Sequence, residues 1–305
     1  MSHDAAPPPP SAAPATRPVT RRALVFGASG AIGRALLGRL LAHGWAVDAL
    51  SRGERPGADR LAWHRGDFAH LPALPGRVDA IFSCGPLDQF SAWYRDAAVD
   101  CPRVVAFGST SDATKRDAAD AGERALAERL RNAGERVFSA AARRGAAATV
   151  LRPTLIYGAG SDRNLGRIVA LARRSGVFVL PADALGRRQP VHADDLGQAA
   201  FAAVDAPAAH GRAYALPGGE TLPYREMVAR TLAVLTPAPR LLTVPGPLFA
   251  LALRAAHATG RLHGLPPGAV ARMREDLVFD AAPAHAAFGY APRPFEPDAA
   301  MFPPG

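Results

Sequence analysis

Gly27, Gly30 and Gly33 follow the apolar run Ala23 to Phe26 and precede the helix formers Arg34, Ala35, Leu36 and Leu37. That order suits a pyrophosphate site. Gly27 permits a tight turn, Gly30 lets the backbone approach a phosphate, and Gly33 allows the following helix to pack closely. Ser29, Ala31 and Ile32 fall at the helix N-terminus, whose amides and dipole favour anions. A glycine triplet alone is weak evidence, but a strand before it and a helix after it supply the context that a dinucleotide site requires.

The second apolar run, Ala46 to Leu50, ends in Ser51 and Arg52. An acidic residue at this point would bond the ribose hydroxyls of NAD, whereas arginine accommodates a 2′-phosphate. Asp48 comes three residues too early for that role. Ser51 can hydrogen-bond a phosphate, and Arg52 can pair with it and stack on adenine. NADP(H) is therefore expected over NAD(H).

The elements that must position these residues follow from the patterning of the 305 residues, 49% hydrophobic and 21% charged, a globular profile. Strands are expected at Ala23–Phe26, Ala46–Leu50, Leu61–His64, Val78–Ser83, Val104–Phe107 and Thr149–Leu151. Helices are expected at Ile32–His43 and within Asp117–Arg144. Such alternation predicts a parallel sheet with helices on both faces, joined by right-handed crossovers. After Pro153 the alternation loosens and prolines multiply, consistent with a smaller domain interleaved with late strands of the sheet. Residues 1–21 are Pro/Ala-rich, lack the apolar core of a signal peptide, and read as a disordered tail.

Lys and Arg together number 36 against 27 acidic residues, a net charge of +9, and only one of the 36 is lysine, Lys115. The arginines are scattered, and aromatic content is 7%, so specific nucleic-acid binding is not expected. A small-molecule substrate, anionic in character, is the more economical partner. Cys84 and Cys101 are too few for a disulfide framework or a multi-cysteine metal site, so no metal and a cytoplasmic setting are expected. Pro245, Gly246, Pro247 and Arg254 interrupt the apolar stretch Leu241 to Ala256, so no transmembrane segment is expected. A homodimer and peripheral association with a membrane surface stay open.

The GxxGxxG spacing resembles the short-chain dehydrogenase/reductase superfamily, particularly its extended branch of NAD-dependent epimerase/dehydratase proteins. Gly66-Asp67 is similar to the family's adenine-contacting pair, and Ser83-Cys84-Gly85-Pro86 falls where the family chain passes the cofactor. Gly108-Ser109-Thr110-Ser111 falls at the family's Ser/Thr position. Arg152-Pro153-Thr154-Leu155-Ile156-Tyr157-Gly158 resembles its RPxxxYG segment beside the nicotinamide. Arg188-Gln189-Pro190-Val191-His192-Ala193-Asp194-Asp195 is similar to its RxxxHxxD segment.

The resemblance covers roughly residues 22 to 295 and implies an α/β, Rossmann-type doubly wound parallel sheet over 22–157. A mainly substrate-binding domain over 158–305 would return late strands to the sheet. It places Asp67, Cys84, Gly85, Pro86, Pro153 and Thr154 along the cofactor.

The family's usual acid is Tyr-x-x-x-Lys on a helix, where the lysine lowers the phenol pKa and binds the ribose. Lys115 follows Ser111 by four, and the residues four beyond Tyr94, Tyr157, Tyr214, Tyr224 and Tyr290 are Ala98, Ser161, Gly218, Val228 and Pro294. The pair is absent. Counting back from Arg152 puts the family lysine close to Arg131 and its tyrosine near Ala127. Arg131 can offer a cation to the ribose but cannot shuttle protons. One expectation is an oxidoreductase with a relocated acid, in which Ser109 and Ser111 position a carbonyl and Tyr157 or His192 supplies the proton, Tyr94 being a weaker candidate. The other is a protein that binds NADP(H) without turnover, as a redox sensor or an assembly or accessory protein.

In the second half, Asp162 could cap a helix, and Asn164 and Arg188 are expected to contact substrate, Arg188 through an anionic group. Arg163 and Arg167 could also face the cleft, and Thr221 is expected to cap a helix. The chemistry most in keeping with the resemblance is reduction of a carbonyl or turnover of a nucleotide-sugar-like substrate.

Overall fold

The computed structural model describes residues 20–158, 165–251 and 271–303. The expected tail lies outside the described residues as far as residue 19. Arg21, which closed that tail, is instead anchored. Its guanidinium bonds both oxygens of Asp205 at 2.7 and 2.8 Å and lies 3.8 Å from the centre of the Trp45 ring.

Seven parallel strands form the central sheet: β1 (Arg22–Phe26), β2 (Ala46–Ser51), β3 (Leu61–Arg65), β4 (Ala80–Ser83), β5 (Arg103–Phe107), β6 (Ala147–Pro153) and β11 (Arg212–Leu216). Their order is β11-β6-β5-β4-β1-β2-β3. The order reverses between β1 and β4, the switch point at which such sheets open a crevice beyond their carboxyl ends. Because every pair is parallel, Phe26, Ser51, Ser83, Phe107 and Pro153 end their strands on one edge.

Two-residue alternation along the strands feeds two cores. Ala23 and Val25 face α1 (Ala31–Ala42) and α6 (Ala193–Ala203), while Leu24 and Phe26 face α2 (Leu87–Asp96) and α4 (Ala121–Arg143). Gly197 lets α6 approach α1, since a Cβ there would stand 2.7 Å from that of Ala35. In α4, Asp120 accepts a hydrogen bond from the Glu123 amide, so the helix expected within Asp117–Arg144 starts at Ala121.

A third core lies in the second half. It joins α5 (Leu165–Ser175) to α7 (Tyr224–Ala233), through Leu165, Ile168, Val169 and Ala172 on one and Met227, Val228 and Leu232 on the other. The i, i+3, i+4, i+7 spacing in α5 accounts for its buried face. Around this core run short strand pairs: β7 (Ile156–Tyr157) with β10 (Val191–His192), β8 (Val177–Pro181) with β13 (Arg240–Val244), and β9 (Arg187–Arg188) with β12 (Leu222–Pro223).

Three local expectations are revised. Val78 precedes β4, which begins at Ala80. Thr221 does not cap α7, which starts behind Pro223; its hydroxyl accepts from Gln189 Nε2 at 3.1 Å. The helix α2 was not anticipated, although Leu87, Phe90 and Tyr94 recur at helical spacing and are all buried. Among the described residues no helix is long and apolar enough to cross a membrane.

Candidate functional site

The carboxyl edge of β1, β2 and β4 opens into a groove of about 950 Å³. Gly27, Ser29 and Gly30 line it from the first turn, Ser51 and Arg52 from the end of β2, Asp67 from the loop after β3, and Cys84, Gly85 and Pro86 from the end of β4. Nine residues expected along the cofactor therefore share one cavity.

The first turn has the geometry its sequence requires. Gly27 sits at φ 69°, a left-handed conformation, and a Cβ on it would meet the Cys84 backbone at 2.9 Å. Gly33 holds α1 against that turn, since its Cβ would lie 2.2 Å from the Gly27 carbonyl oxygen. Gly33 is therefore a packing residue, as are the buried parts of Ile32. No side chain caps the N-terminus of α1 and no acidic residue stands in its first turn, so the amides of Ala31 and Ile32 lack intrahelical acceptors. The cradle fits a dinucleotide pyrophosphate.

At the far end, Asp67 uses Oδ1 to accept from the Ala69 and His70 amides at 3.0 and 2.9 Å, which shapes the loop and holds the carboxyl below its usual range. Phe68 stacks on Phe26 with ring centres 5.0 Å apart, and Trp93 of α2 completes an apolar wall. Sequence reasoning missed Trp93 and Gln89 because it missed α2. It also missed Arg55, whose Nε donates to Ser51 Oγ at 3.3 Å, bringing a second guanidinium to the end of β2. Burial pushes the Cys84 thiol up to about 12, so this groove residue is an inert wall.

A second cavity of about 440 Å³ opens beyond β5 and β6, on the same sheet edge. Ser109, Ser111 and Thr154 line it together with Lys115, Arg167, Arg188, Arg272 and Tyr224. The rest of the lining includes the apolar side chains of Leu155, Ile168, Met227, Met273, Leu277 and Phe279. Ser109 Oγ donates to Ser111 Oγ at 3.1 Å and accepts from the Ser111 amide at 3.2 Å. Lys115 Nζ lies 3.2 Å from Glu123 Oε1, whose carboxylate also accepts from Arg272 at 2.5 and 2.6 Å.

Arg188 is only 6% exposed, and its guanidinium donates to the carbonyls of Arg187, Glu275 and Arg272. With Gln189 Oε1 accepting from the Phe279 amide at 2.7 Å, it straps residues 272–279 over the cavity. Partners some 85 residues away in sequence gave no local signal of this role. The expectation that Arg188 grips an anion is corrected accordingly, because three of its donors are committed to backbone carbonyls.

Other expected site residues lie elsewhere. The Tyr157 hydroxyl donates to the Pro294 carbonyl at 3.1 Å and accepts from the Glu296 amide at 3.3 Å. Its ring packs edge-on against His192 and Phe295, and burial raises its phenol pKa. His192 Nδ1 accepts from the Asp194 amide, capping α6, and burial lowers its pKa. The Nε2 side of its ring lies against Gly158, where a Cβ would stand 2.1 Å away. Neither residue lines a cavity with the serines, because both serve the packing of β7 on β10. Tyr94 is fully buried on Phe90 beneath Arg144.

Arg131 Nη1 donates to the Asp112 carbonyl at 3.3 Å and lines neither cavity; at the tyrosine position, Ala127 is buried. The Pro153 carbonyl accepts from the amide and hydroxyl of Thr110, which fixes the segment carrying Ser109 and Ser111. Asn164, with Asp162 and Arg163, lies outside the described residues.

No protein-family model matches the sequence. The chain is 28% identical over 332 aligned residues to a 2-alkyl-3-oxoalkanoate reductase of Stenotrophomonas maltophilia (strain K279a), covering 88% of this chain and 94% of that protein. Among solved structures, it is similar to the terminal R domain of the myxalamid PKS-NRPS biosynthetic pathway, with a TM-score of 0.66 at 17% identity, covering 94% of this chain and 90% of that one. It is also similar to UDP-glucuronic acid 4-epimerase from Bacillus cereus, solved with UDP-glucuronic acid and NAD. There the TM-score is 0.64 at 11% identity, covering 89% of this chain and 94% of that one. These structural likenesses establish the Rossmann-type fold.

Proposed function

We propose that the chain is an NADP(H)-dependent oxidoreductase of the extended short-chain dehydrogenase/reductase type, which reduces the ketone of a small, anionic carbonyl compound. The observation that carries this reading is that the two cavities open along one sheet edge, one at the carboxyl ends of β1, β2 and β4, the other beyond β5 and β6. A dinucleotide held by the first turn of α1 and the residues ending β2 would have β5 and β6 as the neighbouring strand ends beyond β4. The serine-lined cavity opens there.

Gly27, Gly30 and the α1 amides would hold the pyrophosphate, and Ser51, Arg52 and Arg55 a 2′-phosphate. When bound, the cofactor supplies a hydride. The chain's own groups do the rest. The paired Ser109 and Ser111 hydroxyls orient a carbonyl oxygen, while Lys115 and Arg167 offer positive charge to an anionic substituent. The apolar part of the lining excludes water and accommodates an alkyl portion.

The relative's substrate class, a 2-alkyl-3-oxoalkanoate, unites a ketone, a carboxylate and alkyl chains. Hydroxyl, cationic and apolar side chains in the cavity lining are complementary to those features. Incubating the full chain with NADPH and a set of 3-oxoalkanoates and UDP-sugars, while following nicotinamide absorbance, tests the proposal. Consumption of NADPH with the 3-oxoalkanoates is expected. Tight NADPH binding without consumption by any compound would instead favour a binding protein.

A further inference from the structure

No Tyr-x-x-x-Lys pair occurs in the sequence, yet the cavity beyond β5 and β6 contains a phenol whose hydroxyl the fold does not bind. Tyr224 is the first residue of α7 and lines the cavity that also holds Ser109, Ser111 and Thr154. Its hydroxyl has no hydrogen-bond partner among the described residues, whereas those of Tyr157, Tyr214 and Tyr290 are each bound to a backbone carbonyl.

We infer that Tyr224 is the proton donor of the proposed ketone reduction, with the guanidinium of Arg188 stabilising the phenolate that remains. The inference rests on the reading of the chain as a carbonyl reductase.

Three features of the fold support this role. The guanidinium carbon of Arg188 lies 5.4 Å from the centre of the Tyr224 ring. That cation cannot swing away, because three backbone carbonyls hold it. Leu222 pairs with Arg188 in the β12–β9 ribbon, and the Tyr224 amide donates to the Gly186 carbonyl at 2.9 Å, so cation and ring are set from one rigid ribbon. The phenol also stands at the positive end of α7, a ten-residue helix. Fixed positive charge held close to a ring that becomes anionic lowers a barrier without reorganisation.

Other protic groups of the cavity are committed or too weakly acidic. Thr110 and Thr154 donate to the carbonyls of Pro153 and Gln189, and Lys115 is paired with Glu123. The serine hydroxyls suit hydrogen-bonding a carbonyl oxygen better than surrendering a proton. Burial raises the Tyr224 phenol while Arg188 pulls it down, with a net rise, so the hydroxyl is protonated at neutral pH as a donor must be.

In the step, the ketone accepts a hydride from the reduced nicotinamide at carbon and the Tyr224 proton at oxygen. A C–H and an O–H bond form and the carbonyl π bond breaks. The ketone is reduced, the nicotinamide is oxidised, and water later returns a proton to the phenolate.

The test uses the full chain, wild type and Tyr224→Phe, a variant that keeps the ring on Arg188. Two readouts apply: turnover of a 3-oxoalkanoate with NADPH, and the infrared carbonyl stretch of the same ketone, isotopically labelled, bound with NADP⁺. The expected result is a loss of kcat of about 100-fold or more, with unchanged NADPH affinity. The carbonyl stretch, lowered in the wild type, should return towards its solution frequency in the variant. Full turnover by the variant with an unshifted stretch overturns the inference while leaving the reductase reading standing. A wild-type protein that neither consumes NADPH nor binds the ketone overturns both.

Discussion

Asp48 Oδ2 accepts from Arg22 Nε at 2.5 Å while its Oδ1 lies 2.8 Å from His64 Nε2, so the one carboxylate on β2 is spent inside the sheet. It is 2% exposed and does not line the groove. Asp48, the acidic residue of β2, is therefore not available to a ligand in the groove. Asp48→Asn is expected to lower stability by about 1–3 kcal/mol, below the full cost of breaking a buried pair because Arg22 is half-exposed. It should leave the preference between NADPH and NADH unchanged, as urea denaturation and cofactor titration would show.

The same carboxylate sets an acid limit. Burial alone would raise its pKa, but the bonds to Arg22 and His64 bring it below the ordinary value. A group held lower in the folded state stabilises above its unfolded pKa and loses that contribution as protons bind. Stability should therefore fall as pH drops below about 4, and the fall should be shallower in Asp48→Asn.

Gly30 and Gly33 should separate binding from folding. A Cβ on Gly33 would strike the Gly27 carbonyl oxygen at 2.2 Å, whereas on Gly30, which lines the groove, it would lie 3.2 Å from the same oxygen. Gly33→Ala is expected to lower the melting temperature sharply. Gly30→Ala should melt close to the wild type yet bind NADPH at least tenfold more weakly.

Arg52 is exposed at the rim of the groove, with Arg55 bonded to Ser51 beside it. Arg52→Ala is expected to weaken NADPH by about tenfold, roughly 1.4 kcal/mol, and to leave NADH affinity unchanged. Equal losses for both cofactors would point to adenine stacking rather than phosphate pairing.

Lys115 shares Glu123 with Arg272, so the carboxylate keeps a partner when the lysine is removed. Lys115→Met should fold normally and raise KM for an anionic ketone by about tenfold, with kcat little changed. A neutral ketone should show no such rise.

The first half of this molecule was legible because its requirements are local. A turn at Gly27, a helix starting at Ala31 and a strand ending at Ser51 are each encoded within a few residues. The parallel sheet was legible from short apolar runs alternating with helical stretches, although the division of its strands between opposite cores was not. The second half was less so, because its partners meet across long sequence separations. Arg188 reads as an anion ligand until the carbonyls of Arg272 and Glu275 are seen to occupy it. Tyr157 reads as an acid until Pro294 and Glu296 are seen to hold its hydroxyl. Tyr224 carried no motif, and only the β9–β12 pairing brings it over Arg188.

The most direct measurement of the proposed chemistry is the fate of a deuterium label placed on the transferable position of NADPH during incubation with a 3-oxoalkanoate. The label is expected on the carbinol carbon of a 3-hydroxyalkanoate formed in equal amount to the NADPH consumed. NADPH that binds and survives unchanged, or a product whose label comes from solvent, would contradict the proposed chemistry.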